Sequence, residues 1–210
     1  MIKAVNISRN FGGNGLRSTN ISLEKGGFIG VSGASGCGKS TLLNIITGML
    51  RPDSGTVLIG GEDIYKLSSA ARTALRAGKI GYIMQGSVLL GELTVLENII
   101  LPARIAGRSP DREKAEKLCR KLGIDNVMGS YPSDISGGEY RRTMLARILF
   151  ADTPILIADE PTSNLDEESA SIVRSMIKEV HDKGVSIIAA THDSELLSLA
   201  DRVIQLQPLR

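Results

Sequence analysis

Residues 33–41 read GASGCGKST, and three glycines in so short a stretch are a poor way to stabilise a chain. Glycine gives up more backbone freedom on folding than any other residue, so the cluster answers a demand on backbone shape. The stretch from Gly33 to Ser40 fits the spacing G-x-x-x-x-G-K-[ST]; it follows the apolar run FIGVS, which begins at Phe28, and leads into the helical pattern KSTLLNIITGM. A strand, turn and helix in this order let backbone N–H groups from Ser35, Gly36, Cys37 and Gly38 onward close round phosphate oxygens. The partial positive charge of the helix start lies behind them. Lys39 then reaches the β and γ phosphates of a nucleoside triphosphate, the Ser40 hydroxyl ligates Mg²⁺, and Thr41 adds a phosphate contact. Gly-rich turns also join strands to helices without any ligand; Lys39, Ser40 and the flanking elements argue against that here.

Composition narrows the field around this turn. A chain of 210 residues can bury a proper core in one domain with a lobed insertion. With 25 basic against 23 acidic residues the net charge is +2, too balanced to argue for a polyanion-binding surface. Cys37 and Cys119 lie far apart, without zinc-type spacing, and read as two free thiols in a reducing cytoplasm. The opening MIKAVNISRN lacks a signal-type apolar region, and no apolar run reaches the ~18 residues that cross a bilayer. Any membrane role is therefore expected to come through a partner.

Short apolar runs read as buried strands: FIGVS from Phe28, IGYIM from Ile80, ILIAD from Ile155, SIIAAT from Ser186 and RVIQL from Arg202. Helical segments between them predict a mostly parallel sheet covered on both faces, whereas AVNISRNF and GTVLIGG predict a small antiparallel edge sheet. From Thr94 to Phe150 the strand signal disappears and helices run through TVLENIILPARIAG, DREKAEKLCRKLG and GEYRRTMLARILF. The expected division is an α/β core of residues 1–85 and 152–210 with a helical subdomain at 86–151.

A phosphate cradle alone leaves kinases, GTPases and motor ATPases open. The stretch ILIADEPTSNLD decides among them. Asp159 emerges at the carboxyl end of a buried strand, where it can hold a magnesium shell through water. Glu160, one residue on, is placed to polarise an attacking water as general base. Taken alone, paired acids at a strand end are more often solvated or capping.

With these residues in view, ISGGE, from Ile135 to Glu139, is similar to the LSGGQ signature of the ATP-binding cassette (ABC) ATPases, and it stands upstream of Asp159 and Glu160 as in that family. Almost the whole chain takes part. Gln85, after IGYIM, resembles the family's Q-loop; Ser163, Asn164, Leu165 and Asp166 its D-loop; His192, in ATHD, its switch histidine; and Phe11 lies where the family places an aromatic that stacks on adenine. The resemblance implies a P-loop NTPase (RecA-like) core with ATP and Mg²⁺ as ligands. It also implies that Ser136, Gly137, Gly138 and Glu139 face the γ-phosphate held by a second copy of the chain. Gln85, with Ser40 and Asp159, would serve the metal. His192 would meet the γ-phosphate and attacking water. Each has a plainer reading beside it: a helix cap for Ser136, a core histidine for His192, a core aromatic for Phe11.

Two departures stand out. Ile135 replaces Leu, and Glu139 replaces Gln; the latter resembles the cassettes that serve lipoprotein release, macrolide efflux and haem export. Tyr140-Arg141-Arg142 departs from the commoner continuation. Cys37 invites a redox reading because a helix start lowers a thiol's pKa, but it occupies a variable place in the motif where any small residue fits. The expectation is an ATPase at the cytoplasmic face of a membrane that dimerises around two ATP·Mg²⁺ and drives a separate permease. That permease would touch the region Gln85 to Leu96, where Leu89, Leu90 and Leu93 read as too apolar for a solvated loop. The other readings are a soluble cassette acting on DNA or ribosomes, disfavoured by the neutral charge, and a small-molecule kinase, which has no use for ISGGE.

Overall fold

The structure is a computed structural model that describes residues 1–84, 89–105 and 107–209; Gln85 lies outside the described residues. Its elements run β1 (Ile2–Asn10), β2 (Gly15–Leu23), β3 (Phe28–Ser32), α1 (Lys39–Ile46), β4 (Ser54–Ile59), β5 (Glu62–Asp63), α2 (Ser69–Lys79) and β6 (Ile80–Ile83). They continue as α3 (Val95–Ile105), α4 (Arg112–Lys121), α5 (Gly137–Ala151), β7 (Ile155–Asp159), α6 (Glu167–Asp182), β8 (Ser186–Ala190), α7 (Ser194–Ser198) and β9 (Arg202–Gln205).

By its internal contacts the chain divides into two compact units, one of residues 1–85, 154–161 and 177–210, the other of 86–153 and 162–176. The second therefore takes in residues 162–176, beyond the 86–151 expected from sequence for the helical subdomain. The reason is local: Arg141 and Arg142 of α5 donate to Ser163 and Ser169, tying that segment to the helical unit.

All five apolar runs become strands of one parallel sheet in the first unit, ordered β6-β7-β8-β3-β9. β7 and β8 are buried at every position, which is why their sequences are continuously apolar rather than alternating. The antiparallel sheet has the order β2-β1-β4-β5. Its second strand, GLRSTNISL, escaped the sequence reading because polar residues interrupt its apolar ones, yet its register against β1 is continuous from Leu23 to Ile21. α1 touches strands of both sheets and buries Leu42, Leu43, Ile45 and Ile46 among them. Each such side chain contributes roughly 1.5–3 kcal/mol of transfer free energy.

The second unit packs α3 against α4 and α5, with Ala115 and Cys119 buried on α4. No strand occurs among its described residues, as the loss of strand signal after Thr94 predicts. α2 is a polar, amphipathic helix with no buried residue, and the Ser68 side chain that starts it, accepting from the Ala71 N–H, is a clear local signal.

Candidate active site

The turn from Gly33 to Gly38 bridges β3 and α1, and its glycines are needed for two different reasons. Gly38 caps α1 in the left-handed region, at φ 96°, and a Cβ there would stand 2.4 Å from the Gly15 carbonyl oxygen. Gly36 is also left-handed, at φ 77°, but faces open space. Close approach thus fixes one glycine and backbone shape the other. Cys37 is fully buried behind the turn, which removes the solvent access a redox role would need.

Lys39 is almost wholly buried and its ammonium turns back over the loop. Nζ donates to the Gly33 carbonyl at 2.9 Å and the Ala34 carbonyl at 3.5 Å, and lies 2.9 Å from His192 Nε2. Glu160 Oε1 is 3.9 Å away. Glu160 in turn accepts from the His192 backbone N–H at 3.3 Å and lies 3.5 Å from its ring. Cation, carboxylate and imidazole therefore converge, although Lys39 and His192 stand 153 residues apart in the sequence.

The sheet register explains the convergence. Asp159 on β7 pairs with Ala190 on β8, and Ala190 with Val31 on β3, so the three strands end within one residue of one another. Glu160 and His192 follow at once in the crevice beyond the carboxyl ends, where open α/β sheets place their ligands. Glu160 has a left-handed backbone, φ 50°, held by its N–H donating to the Ala190 carbonyl at 2.8 Å. His192 is exposed rather than a core histidine.

Asp159 is only 3% exposed, and its Oδ1 is buried with no hydrogen-bond partner. Burial drives its pKa up, opposed by a hydrogen bond from the Ser40 hydroxyl; the nearby Glu160 charge also raises it and Lys39 lowers it. A buried carboxylate with a spare oxygen beside a hydroxyl is a donor set suited to a hard divalent cation. Tyr82 on β6 backs this corner. Its hydroxyl donates to Asn44 Oδ1 at 3.1 Å, and burial, reinforced by the Asp159 charge, keeps it neutral.

The turn between β1 and β2 carries Phe11, which is 51% exposed and so not a core aromatic. Its backbone N–H donates to Asn14 O at 2.7 Å. The Arg9 guanidinium lies 5.1 Å from the ring centroid.

In the helical unit Ser136 caps α5 in a capping box. Glu139 Oε2 accepts from the Ser136 N–H at 2.8 Å and its hydroxyl at 2.7 Å, while Ser136 Oγ accepts from the Glu139 N–H at 3.3 Å. Gly137 and Gly138 form the first turn beside it. The plainer reading of Ser136 as a cap thus describes the isolated chain. Ahead of α6 the Asp166 carboxylate accepts from the Ser169 N–H at 2.8 Å and hydroxyl at 3.1 Å, which holds its carboxyl below the usual carboxylate range. Arg141 and Arg142 join α5 to this segment through Ser163 and Ser169, a role the Tyr140-Arg141-Arg142 sequence did not disclose.

Of the three leucines taken as an apolar surface, Leu89 is buried, with its N–H donating to the Tyr140 hydroxyl at 2.6 Å. Leu93 is half-buried and Leu90 exposed. The correction has a physical source in Asn98, fully buried on α3, whose amide donates to the carbonyls of Leu90, Leu93 and Thr94 at 3.0, 2.9 and 3.1 Å. That residue, invisible as a site from sequence, folds the leucine loop onto its own helix.

This cradle, with its lysine, acidic strand end and histidine, agrees with comparisons to known proteins. The ABC transporter family model matches residues 16–163. The chain belongs to the ABC transporter family. It is 43% identical over 195 residues to the "Putative hemin import ATP-binding protein HrtA" of Staphylococcus haemolyticus, covering 91% of this chain and 88% of that one. It is 39% identical over 194 residues to the "Macrolide export ATP-binding/permease protein MacB" of Mannheimia succiniciproducens, covering 91% of this chain but only 30% of that longer protein. Two dimeric structures of the bacterial cassette MJ0796, one in a post-hydrolysis state bound to ADP and Pi, superpose with TM-scores of 0.91 and 0.90. They are 30% and 29% identical in sequence, covering 100% of this chain and 99% of each of those. The α/β P-loop fold expected from sequence is thus the fold found.

Proposed function

We propose that this ABC ATPase is the motor subunit of a transporter: two copies close around two ATP·Mg²⁺, and hydrolysis reopens them to drive a separate integral membrane permease. The convergence of Lys39, Glu160 and His192 beyond the carboxyl ends of β3, β7 and β8 carries this reading. Lys39 would exchange the Gly33 and Ala34 carbonyls for phosphate oxygens. Glu160 would accept the proton of the attacking water, and His192 would orient that water and the γ-phosphate. Backbone N–H groups from Ser35 to Thr41 would cradle the phosphates, with Phe11 stacked on the base. The orphaned Asp159 Oδ1 and the Ser40 hydroxyl fit Mg²⁺, with Gln85 as a further ligand. Bound there, the cation would neutralise charge developing on the phosphates.

Ser136, Gly137, Gly138 and Glu139 would meet the γ-phosphate of the partner copy, with Ser163 and Asp166 beside them. The dimeric state of both MJ0796 structures supports this arrangement. Among the described residues no helix is long and apolar enough to cross a membrane, so a permease partner would place the chain at the cytoplasmic membrane face. Exposed Leu90, rather than Leu89, is the apolar contact offered near Gln85 to Leu96. Export is the proposed direction, supported by the likeness to MacB, whose name specifies macrolide export, although HrtA carries import in its name. No nucleic-acid role is proposed, and the transporter names of the relatives weigh against one.

Glu160→Gln tests the reading. Hydrolysis should fall by about 100-fold or more while ATP binding persists, and ATP with Mg²⁺ should convert the variant from monomer to dimer in size-exclusion chromatography. Normal turnover would remove Glu160 from the role of base. A variant that stayed monomeric, saturated with ATP and beside its permease, would sink the dimer.

A further inference from the structure

We propose that Arg9, pinned by Asp53, is a positioning residue for the nucleotide base, acting through Phe11; this rests on the reading of Phe11 as the residue that stacks on the base. Arg9 Nη1 donates to Asp53 Oδ1 at 2.5 Å, and the other Asp53 oxygen accepts the Asn10 N–H at 2.8 Å. The Asp53 N–H donates to Ser8 O at 2.8 Å, so one residue at the edge of β4 holds the whole end of β1. The guanidinium lies over the Phe11 ring, 5.1 Å from its centroid, and Arg9 Nε is buried without a hydrogen-bond partner. An arginine serving as a surface charge would keep its donors in water. Burying Nε and spending Nη1 on Asp53 instead fixes the planar group against an aromatic face.

The consequence for the ring is specific. Phe11 is half exposed and has no hydroxyl to anchor it, so an unsupported ring would sample several rotamers, each lost when a ligand orders it. A guanidinium on one face orders the ring beforehand and leaves the opposite face for a purine. Its charge also draws on the ring's π density, which strengthens stacking with an electron-rich base. The turn is itself registered to the phosphate cradle, because the Gly15 carbonyl fills the space beside Gly38. Ring and phosphate turn are thus set at a fixed span. Asp53 matters as a counter-charge: paired to it, Arg9 does not swing toward the triphosphate.

Steady-state ATPase measurements on the full chain test this, with inorganic tripolyphosphate as a competitor that has phosphates but no base. Arg9→Met should raise the KM for ATP about 2- to 5-fold, move kcat less than KM, and leave the inhibition constant of tripolyphosphate unchanged. Asp53→Asn should raise KM in the same direction, and Arg9→Lys should fall between parent and Arg9→Met, which keeps the test alive if Arg9→Met folds poorly. Phe11→Ala should raise KM by about 10-fold, and adding Arg9→Met to it should change nothing further. The proposal is overturned if Arg9→Met leaves the ATP KM at the parent value while Phe11→Ala raises it. It is equally overturned if tripolyphosphate and ATP weaken together, since Arg9 would then be a phosphate contact. A Phe11→Ala variant with unchanged KM would instead remove the reading beneath it.

Discussion

Ser136 and Glu139 close on each other at the head of α5, each satisfying the other's polar groups through three hydrogen bonds. The seat proposed for a partner's γ-phosphate is therefore taken, in the single chain, by a carboxylate of the same helix. Two hydrogen bonds from Ser136, the hydroxyl's the larger influence, hold the Glu139 carboxyl below the usual carboxylate range.

Glu139→Ala removes the carboxylate half of this capping box and leaves the Ser136 oxygen on the backbone N–H at position 139, which costs about 0.5–1 kcal/mol and about 1–4 °C of melting temperature at neutral pH. Because the folded pKa is depressed, the carboxylate's contribution is present above the ordinary carboxylate pKa and is lost as pH falls through the lowered folded value. The gap between parent and variant should narrow below about pH 4. Thermal unfolding of both proteins in a series of acidic buffers reads it; a gap independent of pH would place the stabilisation elsewhere.

Asp159 has the opposite sign. Its raised folded pKa means that the folded chain binds the proton more readily than the unfolded one, so stability falls as pH rises through the carboxylate range. Asp159→Asn removes that penalty and should raise the melting temperature of the nucleotide-free chain by a few °C, on the order of 1 kcal/mol. The same variant should lose the extra stabilisation that Mg²⁺ adds to ATP, measured as the difference between ATP with Mg²⁺ and ATP with EDTA. Retention of that difference would take Asp159 out of the cation site.

Two glycines of one turn should respond differently to the same methyl group. Gly36→Ala meets open space and bears only the left-handed strain, about 1–2 kcal/mol. Gly38→Ala bears that strain and also collides with the Gly15 carbonyl, so a loss of about 2–4 kcal/mol is expected. Urea midpoints of the two variants give the comparison. Equal midpoints would mean that the β1–β2 turn yields to the cradle.

Much of this was legible in the sequence because the signals are local. The apolar runs at Phe28, Ile155 and Ser186 must be buried strands; Asp159 and Glu160 sit at the end of the second by chain position alone, and Lys39 opens the helix that follows the first. What stayed hidden depends on pairing across long separations. β2 lacks its own apolar alternation and is a strand because β1 lies beside it. Leu89 looks like a surface residue until Asn98 and Tyr140 fold its loop inward. Arg9 reads as an ordinary strand charge until Asp53, 44 residues away, is placed against it.

The registered ends of β3, β7 and β8 also make this chemistry a matter of counting. Side chains on a strand alternate between faces, so sliding β7 by one residue against β8 would send Asp159 to the opposite side of the sheet and carry Glu160 about 3.3 Å past His192. No intermediate offset exists, because the backbone ladder admits only whole steps. The interleaved Ile155, Leu156 and Ile157, which touch no ligand, thereby keep the time of the engine.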